Sequence, residues 1–434
     1  MASILVCCTP AHGHVIPALA AARHLRSQGH AVRFLTSSRY AERVRAAGVE
    51  FLALPAAADV NLDEPNETFP ERAALRGPAE IRFSLTNLFV RPGPAQLRAI
   101  DEAVAAMPVD VVFADPLFMG TVLLRARPRR SRPAVVALGI VPLAADDPDV
   151  APYGLGLAPL AGPLGRIRNT VLRLAAGRVF APVQAAAVEA FRTGGLEAPR
   201  RFSLFNLPAN VDRVVQFTVP GFEYPRSTLP DTVRFAGPLT GPSTNDLADP
   251  PWWGDLEGGK PVVHVTQGTI ANRDVGSLVR PTLEALADQD VLVVVTTGGG
   301  PLDALPSPLP ANARAARYLP YDRLFPKLSA FVSNGGYGGL HYALEHAVPI
   351  VAAGTTEDKI ETTARVAWSG AGINLRTDRP SPARVRDAVL RALRDERYRH
   401  AAKRLSAQIA DAPRLAALDQ VVEELTARPR AAQP

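Results

Sequence analysis

The sequence predicts an α/β protein built from two Rossmann-like parallel-sheet domains facing across a cleft. Three observations predict it. Short apolar runs alternate with helical patterns near the start of the chain, the same alternation resumes in its second half, and a stretch dense in Pro, Gly, Ser, Thr and Asp separates the two series. At 434 residues the chain exceeds the size at which one core keeps growing, and 47% hydrophobic residues can fill two.

The first series sets strands over 4–8, 32–36 and 51–54, separated by helices over 17–26 and 40–47 that Gly29 and Gly48 stop. Strands over 109–114 and 134–138 extend this βαβαβ unit, whose buried strands imply a parallel sheet covered on both faces with right-handed crossovers. Residues 56–100 and 142–232 break the alternation and read as insertions around a cleft, with amphipathic pieces at 167–175 and 183–191. The boundary signature falls in 237–255, giving domains over 1–236 and 256–413. The second series sets strands over 262–266, 291–296, 330–332 and 350–352. Its helices fall at 275–287, 339–346, 361–369 and 382–394, and residues 414–434 read as a terminal helix or tail.

Composition narrows the function classes. No apolar run reaches the eighteen residues of a spanning helix, and the short N-terminal apolar stretch lacks a basic leader, so no membrane partner and a cytoplasmic location are expected. Cys7 and Cys8 are adjacent in one strand, with side chains on opposite faces and no further cysteine to meet, so neither a disulfide framework nor a metal site follows. The net charge of +6 would permit polyanion binding, but the arginines scatter over helices opposite apolar faces and read as solvated surface, with no nucleic-acid partner.

Two strand-to-helix corners carry candidate chemistry. His14 follows the first strand and precedes a helix expected to begin near Pro17, whose dipole disfavours the imidazolium and leaves a ring able to accept a proton. The alternative is that His12 and His14 are ordinary loop histidines. Asp115 ends the strand over 109–114, at the sheet edge where ligands bind, within reach of the other ring nitrogen; alternatively it is a turn residue or helix cap. The second corner, Asn334-Gly335-Gly336-Tyr337-Gly338-Gly339, opens a helix whose N–H groups suit a phosphate, or else is a turn made for tight packing. Neither corner carries a dinucleotide fingerprint, which disfavours hydride transfer. Gln267-Gly268-Thr269 and the turn opened by Thr297 and Gly298 lie on the same rim. Asp358 and Lys359 lie there too, placed to bind sugar hydroxyls or, for the acid, to cap a helix.

Together these motifs resemble the nucleotide-sugar-dependent glycosyltransferases of the GT-B fold, the family of macrolide, polyketide and plant natural-product glycosyltransferases. The resemblance runs nearly end to end and rests on Pro10-Ala11-His12-Gly13-His14-Val15-Ile16-Pro17, Gly237-Pro238, Gln267-Gly268-Thr269 and the block from Tyr318 through Asp358-Lys359. It implies that His14 deprotonates an acceptor hydroxyl with support from Asp115, in an inverting transfer that needs no metal or other cofactor beyond the sugar nucleotide. It implies a donor site at Gln267, Gly268, Thr269, Thr297, Gly298, Tyr318, Asn334 through Gly339, Asp358 and Lys359. The chain departs from the family pattern at Asn334, where a histidine is common, at Gly339 for Ser or Thr, at Tyr342 for Glu, at Tyr318 for Trp and at Lys359 for Gln.

The expected function is transfer of a hexose from a nucleoside diphosphate to a hydroxyl of an apolar natural product such as a polyketide, macrolide or flavonoid. UDP-glucose is the default donor and a dTDP-deoxyhexose its rival. His12, Phe83, Leu88, Phe89, Leu143 and Tyr153 are the candidate acceptor-binding residues, although packing explains the apolar ones equally well. A sugar-nucleotide epimerase on the same plan and a catalytically silent partner of a transferase are the alternatives, with a monomer and a homodimer both open.

Overall fold

A computed structural model describes residues 1–240, 247–268 and 274–427. The first sheet has seven parallel strands in the order β3-β2-β1-β4-β5-β6-β7, with β1 at Ser3–Cys7, β2 at Ala31–Thr36, β3 at Glu50–Ala53, β4 at Val111–Ala114, β5 at Ala134–Gly139, β6 at Arg213–Gln216 and β7 at Val233–Phe235. The second has six, ordered β10-β9-β8-β11-β12-β13: β8 at Val262–Thr266, β9 at Leu292–Thr296, β10 at Ala313–Ala316, β11 at Ala330–Ser333, β12 at Ile350–Ala352 and β13 at Gly372–Asn374. Every pairing is parallel.

Period-two alternation distributes each central strand between two cores. Leu5 and Cys7 pack on one face of the first sheet while Ile4, Val6 and Cys8 pack on the other, and Val263 and Val265 face away from Val262 in the second. In each sheet the strand order reverses once, at β1/β4 and at β8/β11. Ligand crevices form at such reversals, just beyond the strand ends. The connections after those four strands carry Asp115, Gly268 and Asn334, and the first turn of the helix after β1 carries His14.

Several expectations change. The segment 142–232 is not wholly an insertion, because β6 lies inside it and β7 follows directly after it. Strands β10 and β13 had no sequence signal, since both are short edge strands without an apolar run. The expected pieces at 167–175 and 183–191 extend to helices Gly162–Val179 and Ala181–Thr193. The C-terminal helix Ala416–Thr426 returns to the first sheet, where Leu418 and Val421 enter its core and Asp419 pairs with His24 at 2.9 Å. Among the described residues no single helix is long and apolar enough to cross a membrane.

Candidate active site

Cys7 ends β1, Ala11 is extended, and the next helix spans His12–Ser27, so His14 lies in its first turn. This corrects the expected start near Pro17. The proline sits inside the helix, where its missing N–H removes a bond to the carbonyl of Gly13, while the carboxylate of Asp63 takes the first-turn N–H of His12 at 3.1 Å.

Asp115 follows β4 and its side chain is wholly buried. Its carboxylate accepts the N–H of Thr9 at 2.5 Å, the Thr9 hydroxyl at 3.0 Å, the N–H of Leu117 at 3.0 Å and His14 Nδ1 at 3.0 Å. Burial pushes the carboxyl pKa up, but His14 and the two Thr9 bonds outweigh it and hold the group below its ordinary range. An ionised carboxylate only accepts, so Nδ1 carries a proton and Nε2 is the atom left to receive one.

The expectation that the helix dipole keeps the imidazolium disfavoured is corrected. Burial lowers the His14 pKa, but Asp115, through its charge and its hydrogen bond, followed by Asp358 and Glu357, turns the net shift upward. A full charge at 3.0 Å outweighs the half-charge of a helix end. Asp358 and Glu357 stand beyond β12 of the second sheet, so the two rims confront each other. Asp358 occupies the N-cap position of the Lys359–Trp368 helix without making a side-chain capping bond, which eliminates the capping reading. Lys359 pairs with Glu357 at 2.5 Å.

On the second rim, a cavity of about 370 Å³ is lined by Gly268, Gly298, Tyr318, Asn334, Gly336 and Gly339 from the sequence-derived set, and by Tyr342. Thr266, Thr296 and Ser333 also line it, and sequence reasoning missed them; each is the last residue of a strand, which was the available signal. The Asn334 amide donates to the Gln267 carbonyl at 2.5 Å, tying the β8 and β11 turns together. Gly336 precedes the Tyr337–Glu345 helix as its N-cap, so first-turn N–H groups open toward the cavity.

Other predicted residues serve elsewhere. The Gln267 carboxamide accepts from Leu278 and Val279 N–H at 3.0 Å each and holds the start of the Val279–Leu286 helix. The Thr297 hydroxyl closes its own turn on the Gly300 carbonyl at 2.7 Å. Gly335, at φ +90°, lets the Lys359–Trp368 helix approach, since a Cβ would lie 2.6 Å from Thr363 Cγ2, and Gly338 does not line the cavity. Tyr337 is buried against the first domain and its hydroxyl accepts from Gln216 Nε2 at 3.2 Å, so it bridges the sheets rather than facing a donor. Thr269 lies outside the described residues.

Among the acceptor candidates, Leu143 is corrected to a core residue of the first sheet, 1% exposed. Phe83 is half-buried edge-on against Phe69, Leu88 is buried and Phe89 half-buried, and His12 lies between Asp63 and Arg43. Tyr153 stands where Asp358 and Glu361 act on it, beside the second rim.

A model of the glycosyltransferase family 28 N-terminal domain matches residues 7–119, and one of the C-terminal domain of erythromycin biosynthesis protein CIII-like proteins matches residues 280–426. Over 93% of its length and 94% of the relative's, the chain is 40% identical to 4'-demethylrebeccamycin synthase of Lentzea aerocolonigenes. The chain belongs to the nucleotide-sugar-dependent glycosyltransferases of the GT-B fold. This glycosyltransferase is also 35% identical to UDP-glycosyltransferase 2 of Phaeomoniella chlamydospora, with 98% of this chain and 96% of that one covered. Its fold matches CalG4, the calicheamicin glycosyltransferase, over the whole of both chains with a TM-score of 0.74 at 24% identity.

Proposed function

We propose that the protein is an inverting glycosyltransferase that moves a hexose from a nucleoside-diphosphate sugar to a hydroxyl of an apolar natural product. The observation that carries the reading is the His14–Asp115 pair, 3.0 Å apart, with Nε2 left to accept a proton opposite Asp358 and the cavity rim. In this reading Nε2 takes the proton of the acceptor hydroxyl as its oxygen attacks the anomeric carbon. The bond to the diphosphate breaks on the opposite face, which inverts the centre, and Asp115 stabilises the imidazolium that forms. Charge building on the leaving diphosphate meets the first-turn N–H groups of the Tyr337–Glu345 helix and the amide of Asn334. No metal ion is invoked.

Tyr318 stacks on the base, and Asp358 accepts from sugar hydroxyls while Lys359 faces the sugar. UDP-glucose is the proposed donor; the relative named as a UDP-glycosyltransferase supports its nucleotide, and the relative named for 4'-demethylrebeccamycin supports a natural-product acceptor. The test incubates the protein with UDP-glucose or dTDP-glucose and an aromatic aglycone panel, and reads the anomeric configuration of the product by NMR. A β-linked glucoside from an α-linked donor is expected. A retained configuration, or donor isomerisation without transfer, would refute the reading.

A further inference from the structure

The segment joining Leu143 to Gly156 leaves the first sheet and touches the second domain through Glu361, which sequence reasoning passed over. One carboxylate oxygen, Oε1, accepts the N–H of Gly154 at 2.8 Å and of Gly156 at 2.9 Å. Oε2 accepts from Arg365 Nη1 at 2.7 Å, and Arg365 Nη2 donates to Glu223 Oε2 at 2.9 Å, with its guanidinium 4.2 Å over the Tyr224 ring. Glu223 in turn accepts the N–H of Leu143 at 2.9 Å, and Arg226 donates to the Leu143 carbonyl at 2.9 Å. The segment is therefore anchored at both ends by one buried network of two carboxylates and two guanidiniums.

We propose that Glu361 is a positioning residue, which sets the 143–156 segment and its Tyr153 over the sugar-binding rim and thereby fixes the acceptor and shuts out water. The proposal rests on the reading of the protein as a sugar transferase. Glu361 lies three residues beyond Asp358 on the helix that begins at Lys359, so the donor-side helix and the acceptor-side segment share one rigid element. The glycines serve the same contact. Gly154 has φ +94° and Gly156 φ +58°, and a Cβ on Gly156 would lie 2.6 Å from Ile360 Cγ1 and 2.7 Å from the Ile360 carbonyl oxygen. Only a bare backbone brings both N–H groups to one oxygen.

The test compares wild type with Glu361→Ala, Glu361→Gln and Gly156→Ala. Glu361→Ala is expected to raise the acceptor KM about tenfold, to increase hydrolysis of the donor relative to transfer, and to leave donor affinity within about twofold. Glu361→Gln keeps an oxygen for the two N–H groups and is expected to fall nearer wild type. Hydrogen exchange at the 154–156 amides should quicken in Glu361→Ala. Unchanged acceptor KM and partition in a folded Glu361→Ala, or unchanged exchange, overturns the proposal. Should loss of the carboxylate unfold the chain, Gly156→Ala displaces the segment with the network intact and is read the same way. Should wild type transfer no sugar, the functional reading fails, and the exchange measurement alone decides whether Glu361 anchors the segment.

Discussion

His14 Nδ1 and Asp115 Oδ1 stand 3.0 Å apart although 101 residues separate them in sequence. Parallel pairing of β1 with β4 sets Cys7 beside Ala114, and each side chain then leaves the same end of the sheet. The relation is fixed by the strand order, since only the reversal at β1 makes β4 its neighbour.

If Nε2 is the base, His14→Ala should lower kcat by about 10²–10⁴-fold while leaving donor affinity intact, because the cavity proposed for the donor is built from the other sheet. Single-turnover rates and calorimetric titration with the donor measure the two halves. Normal turnover would remove the base assignment.

The upward shift of His14 sets a sign for pH dependence. The base form is lost as pH falls, so kcat/KM should rise with pH through a limb above the ordinary histidine value of 6.5. Asp115→Asn should move that limb down and cut kcat on the order of 10²-fold, since the ring loses both its charge partner and its fixed tautomer. Stability follows the same linkage. A histidine whose folded pKa is raised stabilises the fold fully below its unfolded value and loses that contribution as pH rises through the folded one. The Tm difference between wild type and His14→Gln should therefore shrink from pH 6 to pH 9.

A reaction whose leaving group is met by N–H groups and an amide should not depend on a divalent ion. Transfer rates are expected to survive EDTA and dialysis unchanged. A loss restored by added magnesium would mean that the diphosphate carries a cation.

Asn334 marks the limit of what the chain reveals by itself. Its glycine-rich corner signals a helix opening at a sheet edge, yet the bond from its amide to the Gln267 carbonyl depends on β8 and β11 being neighbours. Asn334→Ala removes that tie and, in the proposed function, a donor toward the diphosphate. Donor affinity should fall about 3- to 10-fold, equivalent to about 0.5–1.5 kcal/mol. Unchanged affinity by calorimetry would show that backbone contacts suffice.

The contrast between strands and site residues has a physical origin. Residues 262–266 and 382–394 are legible to the residue because a buried strand and an amphipathic helix each repeat one pattern over their length. His14 and Asp115 are legible because strand ends in a parallel sheet are ligand positions. Tyr337 and Leu143 misled because an aromatic or aliphatic side chain beside a site looks the same in sequence whether it faces the gap or the core. Glu361 gave no sign of this contact, since its spacing to Arg365 reads as an ordinary i,i+4 pair and its other partners are backbone N–H groups more than 200 residues away.

Gly299 offers a test of the nucleotide pocket that leaves the proposed chemistry untouched. It has φ +97°, and a Cβ built there would lie 2.3 Å from the Tyr318 hydroxyl, which donates to the Gly298 carbonyl at 2.9 Å. Tyr318 is half exposed at the cavity mouth, so its position rests on that one bond and on the bare glycine beneath it. In Gly299→Ala the phenol must swing away and the backbone is strained, at a cost of about 1–3 kcal/mol. The nucleoside diphosphate should bind more weakly while its sugar dependence is preserved, because Asp358 and Lys359 stand at the start of a separate helix. Titration with UDP and with UDP-glucose separates the two effects: a parallel loss for both ligands is expected, and a loss confined to the sugar nucleotide would place Tyr318 against the sugar instead of the base.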